Sequence, residues 1–177
     1  MMMSETSSEE TSRQDLETKY NLEAEKPKGA YSDEKIMSYE KRMGFPVAED
    51  DFVIVQQGSP IKRTVAGNFF GGPIVGGLAS LTAKWFIMCF KDDGILLLGL
   101  NLMSGFSGKN LFIPKESIKQ VTAKKALSVF GVMKIELVTD NDKKLKFQNR
   151  WQASNKNLKL ISENHKHLPD LAAKYDD

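Results

Sequence analysis

The sequence has little of the chemistry on which most metal and catalytic sites depend. It contains one cysteine and two histidines in 177 residues. A single cysteine excludes an internal disulfide framework and a metal site built from several cysteines, and Cys89 lies in the apolar run 85–90, where we expect a small core residue. His165 and His167 are two positions apart on a predicted helix, so their side chains diverge. We predict no metal site.

Phosphate-binding loop motifs are also missing. No Lys-Ser or Lys-Thr follows the pair Gly76-Gly77, as a P-loop requires, and no G-x-G-x-x-G run occurs. We therefore expect no cofactor and no catalytic residues. The alternative is a hydrolase that uses carboxylates, which would need acidic side chains that converge in one cleft. Its candidates are Asp92, Asp93, Glu116 and Glu136.

The first residues do not form a secretory signal. Met1 to Glu5 are followed by polar residues, without the basic region and apolar stretch that such a signal needs. We expect a cytoplasmic protein, which would act at the inner face of the cell membrane if it binds lipid.

The sign of the charge changes along the chain. Residues 1–51 carry seven Lys or Arg and thirteen Asp or Glu, a net charge of −6, whereas residues 52–177 carry eighteen and ten, a net charge of +8. The acidic leader is poor in large apolar side chains up to residue 30, so we expect disorder there. A short helix is predicted at 33–43, with Ser32 as its N-cap and Gly44 after its end.

From Asp51 onward the pattern is typical of strands. The strand at 133–137 alternates apolar and polar residues, and so does its return strand, which predicts a hairpin with one wet face. From Ser154 the period changes to three or four residues, which predicts an amphipathic helix that ends at Pro169. The predicted strands are 52–55, 85–90, 95–100, 110–113, 117–122, 133–137 and 144–148.

Three segments resemble the pleckstrin-homology (PH) superfold as used by GRAM and bacterial PH domains. Residues 81–87 read LTAKWFI, like the family's L-T-x-x-R-hydrophobic strand, and residues 113–121 read IPKESIKQV, like its I-P-x-x-x-I-x-x-V step. Residues 134–147 are similar to its basic hairpin. The resemblance implies a mainly β fold, a bent antiparallel barrel of six or seven strands capped by one C-terminal α-helix.

The resemblance also implies domain limits and a function. Residues 49–168 would form the PH/GRAM-like domain, preceded by a largely disordered leader, 1–48, and followed by a tail, 169–177. The function implied is that of a non-catalytic binding module for an anionic phospholipid surface or a protein partner. Nucleic acid is not an expected partner, because the aromatic residues lie in apolar runs and do not alternate with cations.

Basic side chains near predicted strand ends are the candidate headgroup ligands, since PH-like domains often bind phospholipids there. The family's phosphoinositide pattern is not met by Lys62-Arg63, so we do not expect a specific phosphoinositide. The candidates are Lys62, Arg63, Lys84, Lys109, Lys124, Lys125, Lys143, Lys144 and Arg150.

A Gly-rich insert, 64–83, departs from the family pattern. Its twenty residues carry no charge, which leaves three interpretations: a membrane-spanning helix that would make this an embedded protein, a loop that touches the membrane, or a loop folded on the barrel. The residues expected to contact a membrane or partner are Phe69, Phe70, Ile74, Val75 and Leu78.

The strands at 85–90 and 95–98 are apolar at nearly every position, so both faces of this part of the sheet need a cover. The Gly-rich insert, the leader helix or a second subunit could supply it, the last as a homo-oligomer through the apolar strand face.

Overall fold

Seven β-strands form where the sequence has apolar or alternating runs. The computed structural model describes residues 19–57, 85–126, 132–150 and 156–176. In that part of the chain the strands are β1 (Phe52–Gln57), β2 (Trp85–Lys91), β3 (Gly94–Leu100), β4 (Phe106–Pro114), β5 (Ile118–Lys125), β6 (Val132–Thr139) and β7 (Lys144–Arg150).

The strands make one antiparallel sheet in the order β4-β3-β2-β1-β7-β6-β5. β1 joins the two halves, because it pairs fully with β2 but meets β7 only where Gln56 is opposite Gln148 and Gln57 is opposite Phe147. A 3-10 turn, Lys115–Ser117, connects the edge strands β4 and β5. Side chains from all seven strands share one buried cluster, so the sheet bends around a single core.

The C-terminal helix closes this core. It consists of α2 (Lys159–Asn164), a 3-10 turn and α3 (Leu168–Ala173). Leu168, Leu171 and Tyr175 are buried in the same cluster as the strand residues, and α3 packs on β5. The fold is thus mainly β with a capping C-terminal helix, as predicted.

Pro169 does not end the helix, so this prediction is wrong. It lies in the first turn of α3. A proline is accepted there because the first N–H groups of a helix have no intrahelical partner. The 3-10 turn just before it, His165–His167, interrupts the α-helical hydrogen bonds and makes Leu168 a new helix start. The helix also starts later than predicted from Ser154: residues 156–158 form a turn, and α2 begins at Lys159 with Leu158 as its N-cap. Ser154 itself lies outside the described residues.

The leader helix is confirmed as α1 (Asp33–Arg42), and its N-terminus is capped as predicted. The Ser32 hydroxyl accepts a hydrogen bond from the Lys35 backbone N–H at 3.2 Å. The Asp33 carboxylate reaches across to α2, where it accepts hydrogen bonds from Leu160 N at 2.8 Å and Ile161 N at 3.2 Å. One aspartate therefore ties the leader to the C-terminal helix.

The leader covers the second face of β1 to β4. Ile36, Tyr39 and Met43 of this segment are buried against outward side chains of these strands. Residues 19–30 also contact the sheet or its loops: Tyr20 stacks on Phe45 with ring centroids 3.7 Å apart and meets Phe112 edge-on. The strands β2 and β3 are apolar at nearly every position because both of their faces are buried, each in a separate cluster.

Candidate functional site

The outer face of β5 to β7 carries a group of lysines. These strands contain six lysines and one arginine but a single acid, Glu136. Because side chains alternate between the two faces of β6, Ile135 and Leu137 are buried in the core and Lys134 is exposed on the outer face. We call four of the exposed cations the lysine face: Lys124, Lys134, Lys144 and Lys146.

Register brings two of these lysines side by side. Lys124 is directly opposite Lys134, whereas Lys146 is opposite Glu136. The Lys144 ammonium lies 3.7 Å from the Glu136 carboxylate. The only acid of these strands is therefore shared between Lys144 and Lys146. Like charges directly opposite each other destabilise a sheet. Lys124 and Lys134 repel each other in the free protein, and an anion bound between them would reduce this repulsion.

The predicted cations do not all meet at this face. Lys124 and Lys144 belong to it, Lys125 and Lys143 are exposed beside it, and Arg150 ends β7 opposite Val132. Lys109 lies on β4, in the other half of the sheet. Lys62, Arg63 and Lys84 lie outside the described residues.

Lys134 and Lys146 were not among the predicted ligands. Their alternation with core residues was visible in the sequence, but only the register shows that they stand next to the other cations.

The residues expected to contact a membrane or partner cannot be placed. Phe69, Phe70, Ile74, Val75 and Leu78 belong to the Gly-rich insert, 64–83, which lies outside the described residues. Within the described ranges, no helix combines the length and the hydropathy needed to cross a bilayer.

A buried ionic cluster joins the leader to the sheet. The Lys91 ammonium lies 2.8 Å from Glu40 Oε1 and 2.7 Å from Asp51 Oδ2, and it donates a hydrogen bond to the Pro46 carbonyl at 2.8 Å. All three charged side chains are almost completely buried. With every group ionised the cluster would carry a net charge of −1, so one carboxyl group is under pressure to hold a proton.

Burial favours protonation of Glu40. Burial raises its pKa from 4.5 to about 7, against the opposing effect of Lys91. Burial also raises the pKa of Asp51. Lys91 stays charged, because its acidic neighbours outweigh the burial that would lower its pKa.

The first prediction concerns the pH dependence of stability. Because the pKa of Glu40 is raised on folding, its contribution is fully present below about pH 4.5 and is lost as the pH rises through about 7. In the wild type, we expect Glu40 to make the free energy of unfolding about 2 kcal/mol higher at about pH 5.5 than at about pH 8. The variant Glu40→Gln should lose this difference. Urea unfolding at several pH values measures this.

The control for this prediction is Glu34→Gln, which changes an exposed acid on the same helix. An unchanged pH profile in Glu40→Gln would show that Glu40 is ionised in the folded protein at neutral pH.

A small cleft opens where β2 begins. Its volume is about 290 Å³, and its lining is partly apolar and partly polar, without a charged side chain among the described residues. It therefore offers no ionic anchor to a ligand. The lining residues are Tyr31, Ile54, Trp85, Leu100, Asn101, Leu102 and Ser104.

Two of the acidic candidates, Asp93 and Glu136, have different partners. Asp93 accepts hydrogen bonds from Tyr20 and Lys19, and Glu136 is beside Lys144. His165 is half-buried, which lowers its pKa, and it contacts Asn149. Over the described ranges, no three His, Cys, Asp or Glu side chains form a group that could hold a metal ion.

Comparison with known proteins gives no assignment for either the lysine face or the buried cluster. The geometry itself must therefore indicate the function. No protein-family model matches the chain, and a search of curated proteins finds no match.

Proposed function

We propose that this chain is a non-catalytic binding domain of the PH/GRAM type that attaches peripherally to an anionic membrane surface. The observation that carries the proposal is the lysine face, in which Lys124 and Lys134 stand opposite each other and Glu136 is the only acid on three strands. The attachment is electrostatic and involves no reaction.

The architecture supports the PH-like part of the proposal. The chain runs through seven antiparallel strands, which bend around one core, before it reaches a single helix that packs on this core. That is the order of elements expected from the resemblance of 113–121 and of the basic hairpin to GRAM and bacterial PH domains. The resemblance of 81–87 gains support only from its last residues, where β2 begins at Trp85.

Electrostatics favours a membrane as the partner. A lysine close to an anionic leaflet contributes ~1 kcal/mol, and the effect falls off within a Debye length. Four lysines on one sheet face can reach a flat surface together, whereas a compact ligand would contact two or three. A broad anionic surface thus uses this arrangement more fully than a small anion does.

The second prediction tests the lysine face directly. We expect Lys124→Ser with Lys134→Ser to weaken binding to phosphatidylserine-containing vesicles by about tenfold or more, because two cations are lost from the contact. Binding to phosphatidylcholine vesicles should be weak for both proteins. Cosedimentation at low and at high salt measures the effect.

The matched control is Lys115→Ser with Lys166→Ser, which removes two exposed lysines outside the face. Equal losses in both double variants would mean that net charge alone matters. Absence of wild-type protein from both vesicle pellets would contradict the lipid proposal and favour a protein partner. In cells, release by high salt or carbonate is expected, and retention until detergent is added would favour the embedded form with segment 64–83 in the membrane.

A further inference from the structure

The loop between β3 and β4 holds two large apolar side chains in water. Leu102 is 104% exposed and Met103 is 88% exposed, and the only other large apolar side chain exposed within the described ranges is Val47, at 43%. A single exposed leucine needs no explanation. Two adjacent ones at the tip of an ordered loop do.

This tip is held rigidly by its own hydrogen bonds. The Asn101 side-chain oxygen accepts hydrogen bonds from Met103 N at 2.9 Å and Gly105 N at 3.0 Å. The Asn101 N–H donates to the Gly105 carbonyl at 2.8 Å, and Ser104 adopts a left-handed backbone conformation, with φ of 59°. The backbone of the tip is therefore held in one conformation, which lowers the ordering cost of presenting the two side chains on binding.

The leader fixes the base of the loop from outside. Tyr31 N donates to the Ser104 carbonyl at 2.8 Å, and Ala30 bridges Gly105. At Gly105 a side-chain carbon would stand 3.0 Å from the Gly29 carbonyl oxygen, so the two segments are in close backbone contact. The exposed tip is supported from both sides.

Cations gather around the base of this loop. The Lys35 ammonium donates to the carbonyls of Lys28 at 2.8 Å and Ala30 at 3.1 Å, which places it next to the Ala30–Gly105 bridge. On the β4 side, a side-chain carbon on Gly108 would lie 3.3 Å from Cδ of Lys26, and Lys109 follows in sequence. In the described structure, none of these lysines has a carboxylate partner. We call Lys26, Lys28, Lys35 and Lys109 the basic collar.

The tip and the lysine face extend from the same end of the strand ladder. Gln56 is opposite both Trp85 and Gln148, and Gln148 is opposite Lys134, so these residues form one row across the sheet. β3 reaches this row just after Gly99, which pairs with Phe86. The loop 101–105 continues beyond the row, as do Lys144 and Lys146 on β7.

We propose that Leu102 and Met103 insert into the interfacial layer of an anionic bilayer while the basic collar contacts its headgroups. This inference rests on the proposed function and adds a hydrophobic anchor to the electrostatic one. A lipid surface fits better than a groove on a protein, because the apolar tip projects outward and cations without carboxylate partners lie beside the base of its loop. Two anchors of different kinds are what stable peripheral attachment needs.

A dye at the tip reports insertion directly. Met103→Cys can be labelled selectively, because the native Cys89 is fully buried. With phosphatidylserine-containing vesicles we expect an environment-sensitive dye at position 103 to shift its emission to the blue. The control is the same dye on Glu116→Cys, in the 3-10 turn after the far end of β4, which should not shift. An unchanged spectrum at position 103 while the protein sediments with vesicles would overturn the inference.

The third prediction is the loss of the apolar anchor. We expect Leu102→Ser with Met103→Ser to weaken vesicle binding by about tenfold and to make the remaining binding more sensitive to salt, since only the charges are left. Val47→Ser, which changes an exposed apolar residue elsewhere, should bind like the wild type. The thermal midpoints of both variants confirm that they fold.

The two proposals fail in different ways. A wild-type protein that sediments with neither vesicle type overturns both. If it sediments with anionic vesicles, and the double serine variant binds equally well with the same salt dependence, then the lysine face is the attachment site and the apolar anchor is wrong.

Discussion

Lys91→Met should lower the free energy of unfolding by about 3–5 kcal/mol, the usual cost of breaking a buried ion pair from one side. Methionine keeps most of the length of the side chain and removes its charge. The variant leaves Glu40 and Asp51 buried without their common cation, and the Pro46 carbonyl loses a donor. Urea unfolding near neutral pH, monitored by tryptophan fluorescence, measures the loss.

The same cluster supplies a rescue. Adding Glu40→Gln and Asp51→Asn to Lys91→Met removes the unpaired carboxyl groups, so we expect part of the lost stability to return. Lys115→Met is the control for a lysine in an exposed turn and should cost little. A cost for Lys91→Met as small as that of the control would mean that the carboxyl groups are solvated in the folded protein.

Leu168→Ala should cost about 2–5 kcal/mol, the range for a buried leucine whose loss leaves a cavity. Leu168 is fully buried among strand residues, at the first position of α3. Chemical unfolding measures the loss, and Lys166→Ala in the preceding turn is the exposed control. A change below about 1 kcal/mol, in the range of ordinary surface substitutions or slightly above, would show that the helix does not close the core.

Most of the strand pattern could be predicted from the sequence, because burial enforces it. Apolar runs and strict alternation located all seven strands, and turn residues located the hairpins. β4 starts earlier than predicted, at Phe106. The sequence did not indicate this start because Ser107-Gly108-Lys109 has the composition of a turn, and Gly108 indeed has a positive φ. The register of β4 shifts at this point, which no local pattern reveals.

The leader was harder to interpret. Its average composition up to residue 30 is polar, yet a few individual side chains find specific places. Tyr20 stacks on Phe45, and its hydroxyl donates to Asp93. These contacts join residues 25 and 73 positions apart, so they depend on the finished fold. Composition can only report that few apolar groups are available.

The candidate site divides in the same way. Lysines on a wet strand face were visible, but the pairing of Lys124 with Lys134 required the register. The buried cluster could not be foreseen, because Glu40 and Lys91 look like ordinary surface residues in a local window. The exposure of Leu102 and Met103 was equally hidden, since two apolar residues just after the strand predicted at 95–100 could equally well pack on the core.

The two-sided burial of β1 to β4 has a consequence for synthesis on the ribosome. The leader that covers their outer face is translated before them, so this cover is available when the apolar strands emerge from the ribosome. The inner cover comes from β5 to β7 and is complete only with Leu168 to Tyr175, about 70 codons later than Leu100. At ~5–20 residues per second, the nascent sheet is covered on one face only for roughly 4–15 s. We expect chaperones to bind its uncovered apolar face mainly in that interval.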